Sequence, residues 1–494
     1  MHDLTRDVCL PEPPMPADTA ALRPGRGLRR SLSTFGVLLL ALSCLSPVFS
    51  IYGVGADVLQ HVGSAAAGLF ALGIGAALVF GVVYAELGSA YPYSGGDYVG
   101  VGAILGPGAG FVALALWSVT SGPSAAFEAQ VLATYVGDLM PGVPPAAITF
   151  VGLAAAVLIA LLAVRTSALI TGLFLAVEML AVLTLIVCGF SQPLHGLAST
   201  IQAPVALPAG AAAGAALVPV TLAAIASSAI SAIYGTVGGN QAIGFGEELI
   251  DPHRRMGRTV ILACMIGATA TAIPVIAVVL GARDLPALLQ SPAPFTAFVA
   301  SVAGRGVGRA IDAGVSLAIF NALIAQIMWC ARLFFSLGRD QVLLGGANRL
   351  LAGVDEPSGA PRAASWVVGI YTALCCLVPS HLLLVFLAGG MVYTFGLVCM
   401  AVLRGRARGL TALPGYWRSW LFPLAPVLGL AMVAAFALAD LTDPDAGRPS
   451  VAIMGAVSVA AALWYALRLK RRPGGWAPVC SADDEPADFA MPGA

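Results

Sequence analysis

The stretch Tyr234-Gly235-Thr236-Val237-Gly238-Gly239-Asn240 interrupts an otherwise apolar segment that runs from Val218 to Leu249. In lipid, backbone N–H and C=O groups freed from a helix find no water. An unwound stretch therefore persists only where protein buries it or where it lines a cavity. The glycines at 235, 238 and 239, followed by Asn240 and Gln241, free more backbone than a simple kink requires. The break is a binding-site candidate. A similar interruption, Ser46-Pro47-Val48-Phe49-Ser50-Ile51-Tyr52-Gly53, falls inside the first apolar segment, Leu32 to Leu59. Paired breaks in corresponding halves of a membrane chain point to a secondary transporter.

The composition agrees with a multispan membrane protein. Of 494 residues, 59% are hydrophobic and 10% charged, whereas a soluble domain carries about 25% charged residues. Mean hydropathy is +0.90. Glycine, at 57 residues, suits helices that approach closely. The net charge of zero argues against a nucleic-acid partner. The 9 cysteines lie mostly in apolar runs and form no CxxC pair, so packing is their expected role, and neither a metal nor a cofactor is expected. Lys470 is the only lysine, which reads as GC-rich coding and hence a bacterial origin.

Apolar runs of about 20 residues occur at 33–58, 64–88, 109–136, 143–164, 168–190, 214–249, 259–281, 309–337, 365–379, 382–403, 419–439 and 449–468. The ninth is short and the seam at Pro379-Ser380-His381 is tight, so eleven or twelve spans are both open. With the amino end inside, only Arg283, Arg305, Arg309 and Arg448 fall outside, and Arg332 stays within a helix. Every other Lys and Arg is then cytosolic, Arg165 and Arg254 included, and the positive-inside rule places both termini in the cytosol. The polar, proline-rich stretch 1–32 is expected to be a disordered cytosolic tail.

Three ordered motifs carry a family resemblance. They are Tyr84-Ala85-Glu86-Leu87-Gly88-Ser89-Ala90-Tyr91-Pro92-Tyr93-Ser94-Gly95-Gly96-Asp97-Tyr98-Val99, then Gly246-Glu247-Glu248-Leu249-Ile250-Asp251-Pro252-His253-Arg254-Arg255, and Ala331-Arg332-Leu333-Phe334-Phe335-Ser336-Leu337-Gly338-Arg339-Asp340. Together they resemble signature segments of the amino acid-polyamine-organocation (APC) superfamily permeases, and the resemblance covers roughly 33 to 420. It implies an all-α integral membrane protein of about 12 transmembrane helices in the 5+5 inverted-repeat (LeuT-like) fold. Helices 1 and 6 would be broken, substrate would sit between them, and access would alternate by rocking a bundle against a scaffold. On this reading 33–190 is the first repeat, 191–213 an extracellular loop, 214–403 the second repeat, 404–468 two added spans and 469–494 a cytosolic tail.

The first span runs outward, so the half-helix after its break presents free N–H groups and a positive dipole end. The sequence predicts that this half starts near Gly53, with a substrate carboxylate against the amides of Ile51 to Val54. Carbonyls freed near Cys44 to Ser46 and near Ile233 to Gly235 would face an ammonium. The expected substrate contacts are therefore Ser46, Ser50, Ile51, Tyr52, Gly53, Tyr234, Gly235, Thr236 and Gly238. Trp117 and Ser121 on the third span and Asn321 on the eighth join them, with core packing or interhelix bonding as their plainer roles, the latter also for Gln326.

Carboxylates at membrane depth are functional candidates by default. Glu178 falls near the middle of the fifth span. Some members of the resembled family carry a lysine near this position, thought to act as a fixed cation linked to protons; Glu178 is a proton-carrier candidate or a tie between helices. Glu128 is a vestibule, substrate-contact or pairing candidate. Leu317 to Leu323 holds no hydroxyl, whereas sodium coupling in the resembled architecture uses a Ser/Thr pair there, so proton coupling or exchange is favoured. Glu86, Asp97, Glu247, Arg254 and Arg339 are expected either to form a cytosolic gate or to be solvated.

The predicted function is a secondary active permease for amino acids or related amines in the bacterial plasma membrane. A polyamine or organic-cation transporter of the same fold is the alternative. A membrane-embedded enzyme has no HExxH motif or nucleophile–base pair in its favour, and a channel does not call for paired breaks within one subunit. A non-transporting amino acid sensor would bind substrate without accumulating it.

Overall fold

The computed structural model describes residues 32–93, 95–161, 167–208, 215–353, 361–444, 447–472 and 476. The expected N-terminal tail up to position 31, Ser94, Arg165 and most of the expected C-terminal tail lie outside the described residues.

The first apolar run is divided. Helix α1 (Thr34–Leu45) stops at Ser46, whose φ of +38° is uncommon for a residue with a side chain. The cause is local: Pro47 has no N–H to continue the ladder, and its ring crowds the preceding turn. The Ser46 Oγ accepts the Phe49 N–H at 3.2 Å and so caps a new start. The chain resumes as a single turn, α2 (Pro47–Phe49), passes through wide π-helical turns over Ser50–Gly55 and ends as α3 (Ala56–Val62).

The next described helices are α4 (Ala65–Ala90), α5 (Asp97–Leu105), α6 (Pro107–Leu139), α7 (Pro145–Ala160) and α8 (Ser167–Ser191). Inside α6, Pro123 leaves the Val119 carbonyl without its helical donor, and the Tyr371 hydroxyl donates to that oxygen at 2.6 Å. The connection that follows holds α9 (Leu197–Gln202) and a short antiparallel ribbon, β1 (Val205–Ala206) on β2 (Val218–Pro219).

The second break differs from the sequence expectation. Helix α10 (Leu222–Thr236) includes Tyr234, Gly235 and Thr236 as its last turn, and the chain leaves helical geometry at Val237 and Gly238 before tight 3₁₀ turns over Gly239–Glu248. Thr236 holds that last turn: its hydroxyl donates to the carbonyls of Ala232 and Ile233 at 3.2 and 3.0 Å. A Cβ on Gly239 would fall into the backbone of Ala263 and Cys264, and one on Gly238 into the Leu45 side chain. The break depends on these two glycines.

The chain continues through α11 (Pro252–Gly281), α12 (Leu285–Gln290), α13 (Pro294–Ala303), α14 (Arg305–Arg339), α15 (Gly345–Leu351), α16 (Arg362–Cys375), α17 (Ser380–Arg408), α18 (Leu424–Asp440) and α19 (Gly447–Trp464). Among the described residues, 9 helical segments are long and apolar enough to cross a membrane, each broken run counting once, and α7, α13 and α18 are shorter apolar helices. The ninth apolar run forms α16, of 14 residues.

The two broken segments meet at one end of the bundle, where Leu32 N–H donates to Glu248 O at 2.8 Å and Ile250 N–H to Leu32 O at 3.0 Å. Arg332, Arg339 and Arg406 lie toward this arginine end; Asp57, His61 and His381 mark the opposite, histidine end. The two larger apolar clusters among the described residues lie around Tyr52, Phe70, Tyr135 and Phe295 and around Val83, Tyr98, Ile243 and Phe395.

Candidate functional site

A cavity opens where the two broken segments face α6, α14 and α17. Cys44, Leu45, Phe49 and Ser50 line it from the first broken segment, and Tyr234, Val237, Gly238, Asn240 and Gln241 from the second. Helix α6 adds Trp117, Thr120, Ser121, Ser124 and Glu128, α14 adds Gln326 and Trp329, and α17 adds Leu387, Gly390, Met391, Thr394 and Phe395. A smaller opening lined by Gly95, Asp97, Arg332 and Leu333 shares Trp117, Asn240, Gln241 and Trp329 with it, so the two adjoin toward the arginine end.

The histidine end is shut. Phe49 meets Phe127 edge-on at 5.4 Å, Tyr52 packs against Tyr135 and Phe295, and the Tyr135 hydroxyl donates to the Tyr52 carbonyl at 2.7 Å. The aromatic layer thus bars one mouth while the other remains lined by polar groups.

Among the described residues, no Lys or Arg lines the main cavity, and Glu128 is its one carboxylate. Glu128 is 2% exposed, and its Oε2 has no hydrogen-bond partner among the described residues. An isolated buried carboxylate is costly, and a cation entering the cavity offsets that cost. The remaining polar groups are neutral. Gln326 Nε2 donates to Ser124 Oγ at 3.2 Å, and the Trp117 and Trp329 rings meet at 5.5 Å.

Of the expected substrate contacts, Ser50, Trp117, Ser121, Tyr234 and Gly238 line this cavity, and so does Glu128. Ser46, Ile51, Tyr52, Gly53, Gly235, Thr236 and Asn321 do not. Ile51, Tyr52 and Gly53 belong to the π-helical turns rather than to a helix start, because the downstream half begins at Pro47. The start of that half is already occupied: Ser46 Oγ donates to Glu178 Oε2 at 3.2 Å, and the Val48 N–H bonds to the same carboxyl group. Glu178 itself is fully buried, and its Oε1 has no partner among the described residues. Asn321 donates to Ser43 Oγ at 3.1 Å and ties α14 to α1.

The expected gate separates into unlike sites. Glu86 is fully buried and accepts from both Nε and Nη2 of Arg406 at 2.9 and 2.8 Å, from Thr411 Oγ1 and from the Ser419 N–H. Asp97 accepts from Tyr84 and from Trp117 Nε1, at 3.1 and 2.9 Å. Arg339 pairs with Asp340 at 3.1 Å with Glu247 nearby, and Arg332 pairs with Glu248 at 3.2 Å. Arg254 is exposed. Asp97 and Arg332 border the smaller opening, whereas Glu86 is a tie between α4 and α17.

Thr120, Trp329 and the α17 wall were not singled out in the sequence. The available signals were a Gly389-Gly390 pair and Thr394 in an apolar run, and a tryptophan three residues beyond Gln326.

Among curated proteins, none matches the chain. Among solved structures it is similar to a mutant of the manganese transporter from Eremococcus coleocola, with a TM-score of 0.50 and 10% identity over 87% of this chain and 91% of that one. At that identity the likeness bears on the fold alone. A family model for amino acid permeases matches residues 32–461, which with the apolar helices makes the chain a multi-pass membrane transporter that belongs to the amino acid permease family of the APC superfamily.

Proposed function

We propose that the chain moves amino acids or closely related amines by alternating access, with the substrate held in the cavity between the two broken segments. The observation that carries this reading is Glu128, a buried carboxylate that among the described residues has an oxygen without a partner in a cavity lined by no Lys or Arg. It suits a substrate ammonium. The terminal carbonyls of α10 add partial negative charge on the same side. The neutral side-chain amide of Gln241, which also lines the cavity, suits the substrate carboxylate. This differs from the first expectation, because the downstream half starts at Pro47 rather than near Gly53, and Glu178 occupies that start.

In this reading the chain has twelve spans, with 33–190 and 214–403 as inverted repeats and 404–468 as two added spans. The arginine end faces the cytosol of a bacterium and the histidine end faces outward. Glu178 carries the proton in proton-coupled uptake, or is idle in an exchanger. A thermal-shift screen of purified protein against neutral and basic amino acids and polyamines, followed by radiolabel uptake in proteoliposomes, tests the reading. Stabilisation by α-amino acids with accumulation supports it. Stabilisation without accumulation would favour a sensor, and stabilisation by polyamines alone would favour the organic-cation alternative.

A further inference from the structure

Asp57 and His61 stand one helical turn apart on α3, and His381 is the second residue of α17. The fold brings them together at the histidine end. His381 Nδ1 lies 3.3 Å from Asp57 Oδ1, and His61 Nδ1 lies 3.5 Å from Asp57 Oδ2. One ligand atom from each residue falls within 4.8 Å of the other two. The imidazoles stack at 4.6 Å with 20° between their planes.

The 3.3 and 3.5 Å separations from Asp57 are those of donors that share a small metal ion. Donors around a tetrahedral zinc at 2.0–2.1 Å sit about 3.3 Å apart. Two imidazoles with one carboxylate suit a zinc-class ion better than calcium or magnesium, which take oxygen ligands. Access is open as well: the side chains of His61 and His381 are 48% and 42% exposed.

We propose that Asp57, His61 and His381 form a binding site for a divalent transition cation of the zinc class, and that the bound ion ties α3 to α17. Both elements bear on the cavity: α3 continues the first broken segment, and α17 supplies Leu387 and Gly390 to its wall. An ion there holds the histidine end shut. The clamping role rests on the transporter reading above; the binding site does not.

Zinc chloride titrated calorimetrically into full-length, chelator-treated protein in detergent at neutral pH tests the site. One zinc per chain is expected, with affinity lowered roughly tenfold or more by H61Q and by H381Q. Absent stoichiometric binding, or binding that both substitutions leave unchanged, overturns the proposal. Unchanged elution and an unchanged zinc-free thermal midpoint report that the variants are folded. Zinc X-ray absorption provides a second reading that does not depend on the variants. Imidazole nitrogen and oxygen ligands are expected, and sulfur ligands, pointing to Cys375 and Cys376, would overturn the assignment. In proteoliposomes, zinc on the histidine side is expected to inhibit uptake by wild-type protein and not by H381Q. Inhibition that persists in H381Q overturns the clamp. Failure of every amine to be taken up by zinc-free wild-type protein would instead remove the transporter reading and leave the calorimetric result standing.

Discussion

Ser46 and Glu178 lie 132 residues apart in sequence, and the Ser46 hydroxyl donates to the Glu178 carboxyl at 3.2 Å. Ser46 at the same time caps α2 through the Phe49 N–H. The carboxyl group therefore sits on the start of the half-helix that follows the first break, where the peptide dipoles favour negative charge. On the proposed reading, neutralising Glu178 would weaken its hold on that half-helix and so couple proton binding on α8 to the position of the broken segment.

That coupling predicts the behaviour of Glu178→Gln. The amide keeps one acceptor for Ser46 and Val48 but carries no exchangeable charge. Uptake driven by a pH gradient in proteoliposomes should fall to background while exchange of unlabelled for labelled substrate persists. Unchanged dependence on the gradient would remove Glu178 from the coupling role.

Gly238 and Gly239 give a prediction about backbone approach. A side chain at Gly239 meets the α11 backbone at Ala263 and Cys264, which cannot move aside as a flexible side chain can, whereas one at Gly238 meets the Leu45 side chain. Overpacking of this kind costs about 1–3 kcal/mol. Gly239→Ala should therefore lower the thermal midpoint more than Gly238→Ala does. Gly238→Leu should insert in the membrane and lose uptake; normal transport by that variant would place the substrate elsewhere.

The limits of the sequence reading follow from where each cause lies. Pro47 breaks the first segment by chemistry confined to one turn, so that break was legible. The end of α10 was not, because Thr236 closes its last turn with a side-chain bond that polarity alone does not announce. Asn321 and Gln326 looked alike in one dimension. On α14 they face different neighbours, Ser43 and Ser124, and only helix rotation separates a tie from a cavity wall. Asp57 and His61 share a helical turn, but the meaning of that pair depends on His381, 324 residues from Asp57.

Glu86 and Arg406 test the distinction between gate and tie. Their doubly hydrogen-bonded pair is buried on the carboxylate side, and removing the cation strands the charge. Arg406→Met should destabilise the protein by about 3–5 kcal/mol, read as a large loss of thermal midpoint in detergent. Adding Glu86→Gln should recover much of that loss. Arg254→Ala, at an exposed position, should leave the midpoint unchanged.

Glu128 gives the prediction closest to substrate recognition. Its Oε2 has no partner among the described residues, and a hydrogen bond to a charged group contributes about 1.5–3 kcal/mol. Glu128→Gln should then weaken binding of the amine by roughly 10- to 150-fold on that range, measured by ligand-dependent thermal shift or calorimetry. Removing the isolated charge also removes its burial cost, so the variant should be at least as stable as wild type without ligand. These two effects have opposite signs. Lower affinity in a protein of equal or higher stability identifies a substrate contact, whereas lost stability with unchanged affinity would identify Glu128 as a structural carboxylate and leave the ammonium to the α10 carbonyls.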